Sequence, residues 1–164
     1  VSAAGPRPEE LVRLLGDRGT SLATAESLTA GMLAATVCEV PGASAVYLGG
    51  VVSYANSVKQ GLLGVDGALL ASRGSVDPDV ALAMAEGARS ACGAGYGVST
   101  TGVAGPDPHD GKPVGRVYLG LAGPGTERVL ELDLEGDRAS IRSQTVRRAL
   151  GMLLEELGGR DDAA

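Results

Sequence analysis

Large aromatic side chains are almost missing: the 164 residues contain no Trp, no Phe and four Tyr (Tyr47, Tyr54, Tyr96 and Tyr118). A core without them must be built from Ala, Val and Leu, with the 26 glycines allowing close packing. Few surfaces remain on which nucleic-acid bases could stack. The formal charge of −6 argues the same way, because phosphate neutralisation needs an excess of Lys and Arg. Nucleic acid is therefore excluded as a partner. Histidine is nearly absent too. His109 is the only one, so a Ser-His-Asp triad would hang on one residue in a Gly/Pro loop, where a solvated side chain is the simpler reading. A zinc centre needs clustered His and Cys, and the sequence has none. The two cysteines, Cys38 and Cys92, sit in Ala-rich stretches and read as core residues of a reducing compartment. With no signal-peptide pattern and no apolar run of membrane-spanning length, the expected location is cytoplasmic and no membrane contact is expected.

What is present is an alternation of periods. Residues 9–18 carry Leu11, Leu14 and Leu15 at helical spacing. A strand is expected at 20–25, a helix at 28–40 stopped by Pro41-Gly42, and a short strand at 51–54 after Gly49-Gly50. Short helical turns follow at 57–63 and 66–72. Asp77-Pro78 opens the next helix, Asp as N-cap and Pro at the first helical position, and Gly93 closes it. A strand at 96–101 leads into the Gly/Pro loop 102–115. A hairpin at 117–122 and 128–134 turns through Gly123-Pro124-Gly125, with Leu130, Leu132 and Leu134 alternating against Glu131 and Asp133. A last helix, 138–157, has a core stripe from Val146 to Leu157, with Arg142 facing elsewhere. Residues 158–164 read as a disordered tail. The fold class is α/β: one domain over 1–157, a three-layer α/β/α sandwich with a mixed sheet.

Without histidine, a buried lysine held neutral is the remaining strong base for activating a serine. The apolar segment 43–52 and its flank contain Ser44, Tyr54 and Lys59. By spacing alone these read as a helix cap, a strand tyrosine and a surface lysine. Four residues separate Tyr54 from Lys59, against three in short-chain dehydrogenases. No G-x-G-x-x-G follows the first strand, so a dinucleotide fold is excluded.

The stretch Ala25-Glu26-Ser27-Leu28-Thr29-Ala30-Gly31 resembles the AES-x-T-G-G signature of the CinA C-terminal domain family, which includes stand-alone nicotinamide-nucleotide amidohydrolases. Further matches follow in order: Val40-Pro41-Gly42-Ala43-Ser44, Gly49-Gly50-Val51-Val52-Ser53-Tyr54-Ala55-Asn56, Lys59, Thr101-Gly102-Val103-Ala104-Gly105-Pro106, Lys112-Pro113-Val114-Gly115 and Gly136-Asp137-Arg138. The resemblance covers roughly residues 9–157. Leu28 stands where Cys is usual and Ala30 where Gly is usual.

The resemblance implies hydrolysis of the carboxamide of nicotinamide mononucleotide to nicotinic acid mononucleotide and ammonia, without metal or other cofactor. It places the catalytic residues on Ser44 (nucleophile), Tyr54 and Lys59 (base), with Ser27 the next candidate nucleophile. Substrate contacts fall on Ser27, Thr29, Gly31, Thr101, Gly102 and Arg138. In this scheme Thr101-Gly102 forms a turn whose backbone N–H groups hold the oxyanion, and Arg138, opening a helix, holds the phosphate. Ser27 and Thr29 read equally well as N-caps of their helix, and Glu26 has no assigned role. The rival expectations are a catalytically silent nucleotide-binding or regulatory domain, and an amidase for another small amide. Ser44 and Tyr54 are ten residues apart, about 33 Å if extended. Either the chain folds back at Gly49-Gly50 or a homo-oligomer completes the site from two subunits.

Overall fold

The computed structural model describes residues 5–158. Ten residues with three leucines on one side, Leu11, Leu14 and Leu15, form α1 (Pro8–Asp17), and Leu11 and Leu15 are fully buried. The next strand, β1 (Leu22–Glu26), is buried at every position and lies between two parallel neighbours, β2 (Tyr47–Val52) and β3 (Tyr96–Gly102). β4 (Arg116–Gly123) and β5 (Thr126–Asp133) add antiparallel to β3, giving the order β2-β1-β3-β4-β5. The β4–β5 hairpin closes with Gly123 opposite Thr126, and Gly125 takes the left-handed conformation the turn requires.

Strand alternation sorts the sheet into two faces. Leu22, Val98, Leu119 and Leu121 point to one side and pack with Leu11, Leu15, Leu33, Leu150 and Leu153 from α1, α2 (Met32–Cys38) and α6 (Arg138–Gly158). Ala23 and Ala25 point to the other, with Val80, Met84 and Ala88 of α5 (Pro78–Cys92). Leu63 of α3 (Asn56–Leu63) and Leu70 of α4 (Gly67–Arg73) complete that side. The result is the expected three-layer α/β/α sandwich around a mixed sheet.

The lack of aromatics has a structural counterpart on the α5 face. A Cβ at Gly97 would overlap the carbonyl oxygen of Ala85, and one at Gly120 that of Ala81. Ser99 donates its hydroxyl to the Ala81 carbonyl. The backbone of α5 therefore rests almost directly on β3 and β4 at these two glycines, which leaves no room for a side chain there. Asp77 caps α5, its Oδ1 accepting from the N–H groups of Asp79 (2.8 Å) and Val80 (3.2 Å).

Two boundaries differ from the sequence expectation. β2 begins at Tyr47, not at residue 51, and Gly49 and Gly50 pair with Ala23 and Thr24 inside the ladder. There is no fold-back there. Helix α2 begins at Met32, not at 28, because Ala30 (φ 48°) and Gly31 (φ 96°) are left-handed and interrupt any helix running through them. Residues 158–164 lie outside the described residues except Gly158, which ends α6. Cys38 is exposed and only Cys92 is partly buried, so the expectation of two core cysteines is corrected: in α2 it is Val37 that turns to the core. Among the described residues no helix is long and apolar enough to cross a membrane.

Candidate active site

The chain leaves β1 toward α2 on one face and leaves β2 toward α3, α4 and α5 on the other. A crevice opens where neighbouring strands diverge in this way, at their carboxyl ends. Ser27 follows β1 at this edge, Ser53 and Tyr54 follow β2, and the segment beyond β3 completes the wall. A cavity of about 330 Å³ lies here, lined by Ser27, Tyr54, Thr101, Gly102, His109 and Arg138 among others.

Behind Ser27 lies Lys59. Among the described residues it is the largest with less than 2% exposure, at 1%. Burial lowers the pKa of its ammonium to about 8. Its Nζ lies 3.1 Å from Ser27 Oγ, 2.7 Å from the Ser53 carbonyl oxygen and 3.3 Å from that of Tyr54. Helix α3 aims it inward, with Lys59 and Leu63 one turn apart on its buried face.

The turn carrying Ser27 is tied down from beneath. Glu26, at the end of β1, is 1% exposed. Its Oε1 accepts from the Thr29 hydroxyl (2.7 Å) and the Leu33 N–H (2.8 Å), and its Oε2 from the Ala34 N–H (3.1 Å). The carboxylate thus caps α2 with two of the N–H groups that a helix start leaves without partners. The Thr29 hydroxyl also bonds that of Thr100 at 2.8 Å. From above, Arg142 of α6 donates to the carbonyl oxygens of Leu28 (2.8 Å) and Thr29 (3.4 Å). At the rim, Arg138 donates to the Gly105 carbonyl (2.6 Å) and the Tyr54 hydroxyl (3.0 Å).

A buried lysine against a serine, at the head of β1 and beneath a Gly/Pro loop, belongs to a segment that matches known proteins closely. The CinA C-terminal domain family matches residues 6–157. A CinA-like protein from Frankia casuarinae is 51% identical over 146 residues, which is 89% of this chain and 34% of that protein. Among solved structures, a competence/damage-inducible protein from Agrobacterium tumefaciens is 38% identical with a TM-score of 0.85, covering 92% of this chain and 95% of its own. A competence-damaged protein (CinA) superfamily protein from Klebsiella pneumoniae is 32% identical with a TM-score of 0.89, covering 93% and 96%. The chain belongs to the CinA C-terminal domain family. It spans about a third of the length of the curated relatives it matches.

In this CinA domain the residues expected from sequence are divided differently. Ser44 is not at the cavity. It sits in the 3-10 turn Ala43–Ala45 and lines a separate hollow with Cys38, Val40, Gly42, Ala43 and Tyr47. Strand β2 runs unbroken from Tyr47 to Val52, so roughly 17 Å of extended chain separates that end from the end leading to Tyr54 and Lys59. Within one chain Ser44 is thus not brought to Tyr54 and Lys59, and the serine against Lys59 is Ser27. Tyr54 meets Lys59 through its carbonyl, while its hydroxyl belongs to Arg138.

The expected substrate contacts divide as well. Thr29 is fully buried with its hydroxyl held by Glu26 and Thr100, and Gly31 is the left-handed residue before α2. Neither lines the cavity. Thr101 and Gly102 do, but they are the end of β3 and not a turn, and the Thr101 hydroxyl donates to the Ser75 carbonyl. A Cβ at Gly102 would press on the Arg116 carbonyl (2.8 Å), so this glycine serves strand packing. Arg138 lines the cavity at the first residue of α6. Two further residues carry more than the sequence reading gave them. Arg142 clamps the Ser27 turn, and His109, an exposed loop residue as read, also lines the cavity.

Proposed function

We propose that this domain hydrolyses the carboxamide of nicotinamide mononucleotide to nicotinic acid mononucleotide and ammonia, with Ser27 as nucleophile and Lys59 as base. The observation that carries this reading is the contact of a buried Lys59 Nζ with Ser27 Oγ at 3.1 Å on the wall of the cavity. A neutral amine has two N–H groups and one lone pair. The carbonyls of Ser53 and Tyr54 accept the two N–H groups, which leaves the lone pair for the Ser27 hydroxyl. Burial keeps a substantial fraction of Lys59 neutral near its pKa of about 8.

Ser27 Oγ bonds to the carboxamide carbon as its proton passes to Lys59. The C–N bond then breaks and Lys59 returns that proton to the departing nitrogen, which leaves as ammonia. Water attacks the resulting acyl ester, Lys59 takes one of its protons, and the ester bond breaks with that proton restored to Ser27. Leu28, which lines the cavity beside Ser27 on the turn fixed by Glu26 and Arg142, offers its backbone N–H for the oxyanion. Tyr54 and Arg138 at the rim suit the ribose phosphate, Arg138 offering a guanidinium beside a helix start.

The test is ammonia release from nicotinamide mononucleotide by the purified chain, with and without a chelator. Turnover is expected in both. Ser27→Ala is expected to abolish it, and Ser44→Ala to keep it within about twofold, as for surface substitutions away from the site. The reverse pattern would return the nucleophile to Ser44 and with it the need for a second subunit. Loss of activity in chelator, restored by a divalent ion, would remove the serine-lysine mechanism.

A further inference from the structure

The single histidine of the chain is held over the cavity by a small pinned structure. Asp110 (φ 48°) reaches across to the turn before α5, where its Oδ2 accepts from the Ser75 N–H (3.1 Å) and hydroxyl (3.3 Å). Gly74 gives it room, since a Cβ there would stand 2.8 Å from that same oxygen. His109 and Lys112 exchange backbone hydrogen bonds on either side of Asp110-Gly111 (2.8 and 3.1 Å). The imidazole Nε2 lies 3.3 Å from Asp110 Oδ2. With Nε2 turned to the carboxylate, the other ring nitrogen, Nδ1, is left for whatever enters the cavity that His109 lines.

Charge decides what that could be. The charged side chains lining the cavity, apart from His109, are Arg138 and Asp107. Their formal charges cancel. Asp110 adds a negative charge beside the imidazole, and Lys59 is set back behind Ser27. A phosphate monoester carries about −1.5 to −2 charges near neutral pH. It therefore meets a wall with no net positive charge unless the imidazole is protonated. Neutral His109, its Nε2–H given to Asp110, presents a lone pair at Nδ1 and repels a phosphate oxygen. A second proton makes the same nitrogen a charged donor.

Resting on the deamidation reading, we propose that His109, oriented by Asp110, is a specificity-determining residue of this site: its imidazolium joins Arg138 in holding the substrate phosphate.

Binding is measured by calorimetry in a Ser27→Ala background, which stops turnover, at a single pH near about 6. The probes are nicotinamide mononucleotide and nicotinamide riboside. Adding His109→Ala should weaken the nucleotide about tenfold, the loss of one charge-assisted hydrogen bond, while leaving the riboside within about twofold. Equal nucleotide affinity with and without His109, equal losses for nucleotide and riboside, or no binding of the nucleotide at all would each overturn the proposal. Ammonia release by the chain with Ser27 intact is scored separately. Turnover with an unchanged His109→Ala affinity defeats the His109 proposal alone. No turnover, with the phosphate-dependent loss still present, defeats the deamidation reading alone.

Discussion

Two lysine environments are easily confused at the residue scale. An exposed lysine keeps its proton well above neutral pH and is a poor base. Lys59 differs because its amine is 1% exposed and its pKa falls to about 8 through burial. If it acts on Ser27 as the neutral amine, kcat at saturating nucleotide should climb about tenfold per pH unit below that value and level off above it. A flat profile from pH 6 to 9, or a fall across it, would mean that Lys59 does not act as the neutral base. By spacing alone Lys59 reads as a surface lysine, and only the family resemblance marks it as the base. It marks Ser44 first, not Ser27, the serine that lies against Lys59. Ser44 lies nearer to Lys59 along the chain and within an apolar segment, whereas Ser27 is brought there only by the parallel pairing of β1 and β2, whose register the spacing does not reveal.

The same asymmetry holds for the secondary-structure elements. Helices and strands with a clear period, such as α1, α5, α6 and the β4–β5 hairpin, could be read from the chain to within a residue or two. The two misplaced boundaries are both local. One is a left-handed pair at Ala30 and Gly31, in which alanine hides the break that glycine would have signalled. The other is a glycine pair that looked like a turn and is strand. What the glycines of β3 and β4 are for is visible only in three dimensions. Gly97→Ala would push a methyl into the Ala85 carbonyl of α5. Carbonyl and strand are both backbone, so neither can rotate away, and α5 must lift. The expected cost is about 2 to 3 kcal/mol of overpacking, read as a lower denaturation midpoint at unchanged m-value. By contrast, Gly61→Ala on the exposed side of α3, where no heavy atom stands within 4 Å of the added Cβ, should stabilise by roughly 0.5 to 1 kcal/mol through helix propensity. A loss for Gly61→Ala comparable to that for Gly97→Ala would show that packing at α5 is not the cause.

For the whole molecule, a buried amine that serves chemistry is a burden on folding, and its pH dependence makes the burden measurable. In the unfolded chain Lys59 titrates near the ordinary lysine value of 10.5, and in the folded chain at about 8. Above about pH 10.5 the residue is neutral in both states and costs nothing by this route. As the pH falls toward 8 the unfolded state takes up the proton first, so stability is lost across that window. Below about 8 both states are protonated and the penalty is complete. Lys59→Met keeps an apolar side chain of similar length and removes the titration. Its absolute stability also includes the Ser53 and Tyr54 carbonyls left without their donor, which opposes the gain from removing a buried charge. That term does not vary with pH, and the other titrating groups are common to both proteins. The difference between the two proteins therefore isolates Lys59. Measured by denaturant unfolding, the stability of Lys59→Met relative to the parent should fall by about 2 kcal/mol between pH 7 and pH 10. A difference independent of pH would mean that Lys59 titrates alike folded and unfolded, and the argument for a neutral base beside Ser27 would fail with it.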